Sequence, residues 1–200
     1  MWTKSEQRIL EKLSSPHKIQ KFIDGLTYNP EDDAFSPRQV LVTKKAHCLE
    51  GAMLAAAALE FHGVKPFLID LVAHRDDHHV ITVFKTSSGW GSLSKSNTTL
   101  LRGRTPLYKT YRELVMSYFD FYFNQKGQLS LESFSKPISF ERFKKFNWRW
   151  TSENLIELGY SLESYPHISI LPRATLVKLK PVSEDVNRAC FLFSDRSALF

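Results

Sequence analysis

One helix-length run limits this chain more than any other. From Leu49 to Leu59 it reads Leu-Glu-Gly-Ala-Met-Leu-Ala-Ala-Ala-Ala-Leu, with Leu49, Ala52, Met53, Ala56 and Leu59 at helical spacing. Gly51 and the run Ala55 to Ala58 leave little bulk around the rest of its girth. A helix that is small and apolar on every side belongs where other elements close over it, so residues 47–62 are expected at the centre of the fold. His62-Gly63 is its expected stop, because glycine takes the left-handed conformation that ends helices. Cys48 stands at its first turn.

The segments that follow read as strands. Phe67–Leu71 is a near-continuous apolar run, as in a strand buried on both faces. Val80–Phe84 is a second strand, Thr86-Ser87-Ser88-Gly89 a turn, and Trp90–Ser94 a returning strand. Upstream, residues 4–13 carry Ile9, Leu10 and Leu13 on one side of a short surface helix. Ser15-Pro16 starts another, with Ser15 as cap and Ile19, Phe22, Ile23 and Leu26 as its apolar face. Asn29-Pro30 and Ser36-Pro37 punctuate a loop, and Val40–Val42 is extended or helical.

Downstream, Tyr111 to Phe123 reads as helix, Gly127 to Ser130 as loop, and Ser139 as the cap of a short helix with Phe140, Phe143 and Phe146. Another helix is expected from Thr151–Asn154 onward, carrying Leu155, Ile156 and Leu158 and stopping at Gly159. Residues 167–170 and 175–179 read as extended. There is no internal repeat, low-complexity tract or linker. The expectation is one α+β domain over residues 1–200: a central helix packed on an antiparallel sheet, with helical additions at both ends.

Two hundred residues bury a sizeable core without disulfide staples. The net charge of +6 is spread along the chain, and no nucleic-acid motif accompanies it. No apolar run approaches transmembrane length, and the N-terminus has no apolar signal core. A cytoplasmic, reducing location is therefore expected, with Cys48 a thiol. The two cysteines, Cys48 and Cys190, leave one disulfide open as an alternative. No glycine-rich phosphate loop stands at a strand–helix junction, so no cofactor is expected.

Chemistry centres on Cys48 and His79. A cysteine at a helix N-terminus meets the positive end of the helix dipole, which favours thiolate. A histidine within reach stabilises that thiolate as an ion pair and later protonates a leaving group. The first backbone N–H groups of the helix have no intrahelical partner, so the Cys48 N–H is available to a developing oxyanion. Against this stands the plain reading of a lone cysteine beside alanines as a small buried apolar residue. His47 adjoins the site, His78 points to the face of the strand opposite His79, and Asp76-Asp77 reads as a solvated turn or as a histidine-orienting pair. Glu50 is a buried structural carboxylate or part of the site. His74, Asp76, Asp77, His78 and His79 invite a metal reading, but their spacing matches no ligand motif and no metal is expected. Gln39 lies upstream without an assigned role.

The order of these residues resembles the transglutaminase-like branch of the papain-like superfamily. Cys48, in Ala46-His47-Cys48-Leu49-Glu50-Gly51-Ala52, matches its nucleophile, and His79-Val80 its histidine-headed strand. Leu59 to Leu71 resembles its helix turning into a strand. Gly89-Trp90-Gly91-Ser92-Leu93-Ser94 aligns with a segment that in that superfamily carries aspartate four residues past the tryptophan. The likeness extends through Lys95-Ser96-Asn97 and Arg102-Gly103-Arg104 to a small group of uncharacterised bacterial transglutaminase-like proteins. It implies a papain-like core and thiol-dependent acyl chemistry, and leaves the substrate open.

The chain departs from that pattern at Ser94, which offers no carboxylate. A turn centred between Ser87 and Ser88 sets Ser96 opposite His79 and makes Ser94 its diagonal neighbour, with Asn97 next door. Ser94, Ser96 and Asn97 are therefore one group of candidates for orienting His79. A neutral partner fixes the imidazole tautomer but stabilises imidazolium less than a carboxylate does. Two outcomes follow. One is a cysteine-dependent hydrolase, peptidase or acyltransferase that forms a thioester at Cys48 from a peptide or small amide substrate. The other is a non-catalytic binding module on the same fold.

Overall fold

The computed structural model describes residues 1–194. Three short helices lead in: α1 (Lys4–Lys12), α2 (Pro16–Asp24) and α3 (Pro37–Thr43). Each is capped by a hydroxyl side chain, Thr3, Ser15 and Ser36, accepting from an amide of the first turn, and Pro16 and Pro37 fill first-turn positions. Two short strands, β1 (Thr27–Tyr28) and β2 (Lys45–Ala46), pair in parallel and deliver the chain to α4 (Cys48–Phe61). All residues from Leu49 to Leu59 are buried, and Gly63 turns the chain away at φ +75°.

The main sheet begins with β3 (Phe67–Ala73), β4 (His79–Thr86), β5 (Gly89–Leu93) and β6 (Arg104–Tyr108). After α5 (Tyr111–Phe119) come β7 (Leu131–Ser135), β8 (Ile138–Ser139) and a 3-10 turn over Phe140–Phe146. Then follow α6 (Ile156–Leu162), β9 (His167–Ser169), α7 (Arg173–Leu176) and α8 (Glu184–Cys190). The strand order is β6-β5-β4-β3-β7-β9, with β8 pairing the start of β3, and every pairing in this sheet is antiparallel. This is an α+β arrangement with a mostly antiparallel sheet.

Helix α4 lies against one face of the sheet. Leu68 and Val80 pack on Ala52, Met53 and Ala56, and the Thr82 hydroxyl donates to the Ala52 carbonyl at 2.6 Å. Leu10, Ile19, Ile23, Val40 and Leu41 from α1 to α3 close over Leu54, Ala55, Ala58 and Leu59. The other sheet face, with Ile69, Leu71, Ile81 and Val83, packs on Leu114, Val115 and Tyr118 of α5. The alanines are what allow these layers to approach α4 together.

Two expectations from the sequence are corrected. Gly159 does not stop a helix; it lies inside α6, where a Cβ would sit 3.1 Å from Leu49 Cδ2. Its smallness serves the approach of α6 to α4. Residues 175–179 are not extended: α7 covers Arg173–Leu176, and Leu176 is buried. Residues 167–170, read as extended, contain β9, which joins the sheet through β7. Both cysteines are free thiols, with Cys190 buried in α8. Among the described residues no helix is long and apolar enough to cross a membrane.

Candidate functional site

Cys48 is the first residue of α4, half-buried, and faces a cleft. The residue before it organises the helix start. His47 Nδ1 accepts from the Leu49 N–H at 3.2 Å, and its Nε2 donates to the Asp33 carbonyl at 3.1 Å, the bonding of a neutral ring. Glu50, with no exposed surface, accepts from the His47 N–H at 2.7 Å and closes a capping box. Its carboxylate also takes the Phe35 N–H at 2.8 Å and the Asn29 side-chain amide at 3.2 Å on each oxygen. Glu50 is thus a structural carboxylate that fixes the strand-to-helix turn on which Cys48 sits.

His79 opens β4, 5% exposed. The β4–β5 ladder runs from Thr86↔Gly89 to Thr82↔Leu93, the register that a turn centred between Ser87 and Ser88 sets. Beyond Leu93 the chain leaves the ladder. Gln20 holds it there, donating to the Ser94 carbonyl at 2.8 Å and accepting from the Ser94 N–H at 3.0 Å. This clamp turns the Ser94 hydroxyl onto His79 Nε2 at 2.6 Å. The same hydroxyl donates to the Leu101 carbonyl at 2.8 Å. Its single proton being committed there, it accepts from Nε2–H, which assigns the proton of the neutral ring to Nε2 and leaves Nδ1 for the thiol. Tyr122 packs edge-on against the imidazole, its ring centroid 6.5 Å away, and is held by a 2.6 Å bond from its hydroxyl to the Asp77 carbonyl.

The electrostatics favour thiolate. Burial pushes the Cys48 thiol up, but hydrogen bonding to His47 and His79, and the positive charge that either ring carries once protonated, pull it well below its ordinary value. Burial also opposes a charge on His47, yet the neighbouring Cys48 and Glu50 raise its pKa. Asp77 is pushed up to about 6, first by burial and then by the charges of Asp76 and Cys48. Burial raises the Tyr28 phenol, and the Cys48 charge adds to it.

The cleft has an empty volume of about 550 Å³ and is lined by Cys48, His79, Tyr28, Asp76, Asp77 and His78, among others. The three orienting candidates separate. Ser94 meets His79; Ser96 bonds Thr98 Oγ1 at 2.9 Å; Asn97 lines the cleft wall beside Ser96 and Thr98. His78 is exposed at the cleft rim. Gln39 is occupied with Ser36 and the Ser152 carbonyl. Among the described residues no group of three or more His, Cys, Asp or Glu side chains is placed to hold a metal ion. Tyr28, Gln20, Tyr122 and the Leu101 carbonyl carry no sequence signal of their role: each meets the site across a long loop or from a different element.

The arrangement can ionise a thiol, hold a histidine in one tautomer and present a helix-terminal N–H at the sulfur. Compared with known proteins, the chain matches no family model and no curated protein sequence.

Proposed function

We propose that this chain is a cysteine-dependent amide hydrolase or acyltransferase with a transglutaminase-like, papain-like core. The observation that carries this reading is His79, with Ser94 on Nε2 and its other nitrogen left for a thiol whose pKa is depressed at a helix N-terminus. The Cys48 thiol proton passes to Nδ1, and the thiolate attacks the amide carbonyl, forming a C–S bond. The oxyanion develops toward the Cys48 N–H, which has no partner within the helix. Imidazolium returns the proton to the leaving amine as the C–N bond breaks, leaving a thioester at Cys48. His79 then deprotonates water or an incoming amine, which displaces the sulfur. The missing carboxylate favours a second reading, a binding module, because a serine acceptor stabilises imidazolium only through a neutral dipole.

Labelling by an electrophilic acyl probe separates the two. The wild type should label at Cys48, Cys48→Ala should not, and His79→Ala should label at least roughly tenfold more slowly. Labelling that is indifferent to His79 would remove the dyad, and a thiol inert to every acyl probe would leave the binding module.

A further inference from the structure

A second, larger depression adjoins the cleft and shares with it the wall formed by Tyr28, Ser96, Asn97 and Thr98. Lys95 is one of its lining residues. That side chain is 7% exposed, and its ammonium donates to the Leu26 carbonyl. Three N–H donors meet one acceptor. Among the described residues no carboxylate pairs with Lys95, and burial alone pulls its pKa down. The other charges lining this depression cancel: Arg102 is engaged with Asp24, Nε to Oδ1 at 3.1 Å and a second bond from Nη2 to Oδ2. Among the described residues Lys95 is left as an uncompensated buried cation lining an open groove. A second observation points the same way: among the described residues Thr99 Oγ1, also in a lining residue, is a buried hydroxyl without a hydrogen-bond partner.

Lys95 also packs on the helix that begins at Cys48. A Cβ on Gly51 would sit 2.4 Å from Lys95 Cβ, so Lys95 packs on α4 one turn from Cys48. A buried ammonium with spare donors, an orphan hydroxyl and a continuous wall leading to a thiol make a seat for an anion. A carboxylate seated in the groove beside Lys95 would restore charge neutrality.

We propose that this groove binds a carboxylate of the substrate through Lys95 and Thr99, so that the amide acted on at Cys48 carries a free carboxylate near its scissile bond. The proposal deepens the reading of Cys48 as nucleophile and rests on it for the chemistry, but the seat itself is testable without turnover.

Two probe pairs test it on the Cys48→Ala protein at low salt, followed by amide NMR shifts of Gly51, Thr98 and Thr99. N-acetylglycylglycine against its C-terminal amide places the charge on the amine side. N-succinylglycinamide against its succinamoyl analogue places it on the acyl side. For one pair the carboxylate should bind roughly tenfold tighter or more, and Lys95→Met should abolish that preference. Thr99→Val should weaken it without touching the buried charge, which keeps the test open should Lys95→Met fail to fold. Equal binding within both pairs, or a preference that survives loss of Lys95, overturns the proposal. If the carboxylate preference is present while wild-type Cys48 resists acyl probes, the seat stands and the catalytic reading falls.

Discussion

The hydroxyl of Ser94 gives its proton to the Leu101 carbonyl, and so meets His79 only as an acceptor. That relationship makes a neutral side chain do the orienting part of a carboxylate's work without its charge. Ser94→Ala should strand the buried Nε2–H, costing about 1–3 kcal/mol of stability. It should also move the pH midpoint of Cys48 alkylation upward. Ser94→Asp, which adds a charge behind the imidazole, should move that midpoint down, and Ser94→Asn should move it less. Iodoacetamide labelling against pH, on protein carrying Cys190→Ser, measures all three. An identical midpoint across the series would disconnect Ser94 from the thiol.

The wild-type midpoint is itself diagnostic. With its pKa depressed, Cys48 should label below the free-thiol midpoint of about 8.5, whereas burial raises Cys190. Cys190 should therefore remain unlabelled in the folded protein, and peptide mapping after a brief alkylation reads both sites at once.

Asp77 gives a prediction of defined sign. Its carboxyl titrates near about 6, above its ordinary value, because burial, Asp76 and the Cys48 thiolate disfavour its charge. Stability linked to it is fully present at low pH and declines as pH rises through that value. Asp77→Asn should be slightly the more stable protein at pH ~8, solvent at the exposed Asp77 screening most of the gain, and indistinguishable at pH ~3. Removing the repulsion should also lower the Cys48 alkylation midpoint. Urea titrations at the two pH values, with the labelling profile, check both halves.

Glu50→Gln replaces an acceptor of four hydrogen bonds by a group that is half donor. A loss of about 3 kcal/mol is expected from urea unfolding at neutral pH. Asn29→Ala should cost less, because the two backbone donors then keep their carboxylate.

Gly51→Ala tests the approach of Lys95 to α4. The new methyl would stand 2.4 Å from Lys95 Cβ, so strand exit and helix must separate. The better helix propensity of alanine, up to ~1 kcal/mol, should be outweighed by an overpacking cost of about 1–3 kcal/mol. Because Ser94 precedes Lys95, alkylation of Cys48 should slow as well; thermal unfolding and labelling rates report the two effects.

What the sequence disclosed followed from short-range rules. The alanine run required a surrounded helix, and a two-residue turn set the β4–β5 register that carries β5 to Ser94. Choosing Ser94 over Ser96 and Asn97 required Gln20, which reaches the Ser94 backbone from α2, far off in sequence. β6 was illegible because Pro106 sits within it, and β7 because Leu-Glu-Ser-Phe-Ser has no β-branched residue. Gly159 looked like a stop because its reason for being glycine, Leu49, belongs to another helix. Lys95 gave no sign of burial; a lysine between serines reads as solvent-facing until Gly51 is placed beneath it.

Helix α4 is walled in from Leu49 to Leu59, whereas Asp76 to His78 and Ser96 to Thr98 lie in connections between strands. The amides of its middle turns can reach solvent only when the layers part, while the connections open at far lower energy. Sulfur and imidazole are both carried by buried elements, α4 and β4, whereas the cleft walls beside the imidazole are connections that open at lower energy. Warming should loosen the histidine's surroundings first, leaving the sulfur at a helix still locked to exchange. The dependence of Cys48 labelling on His79 would fade before the protein melts, and cooling would restore it with no refolding at all.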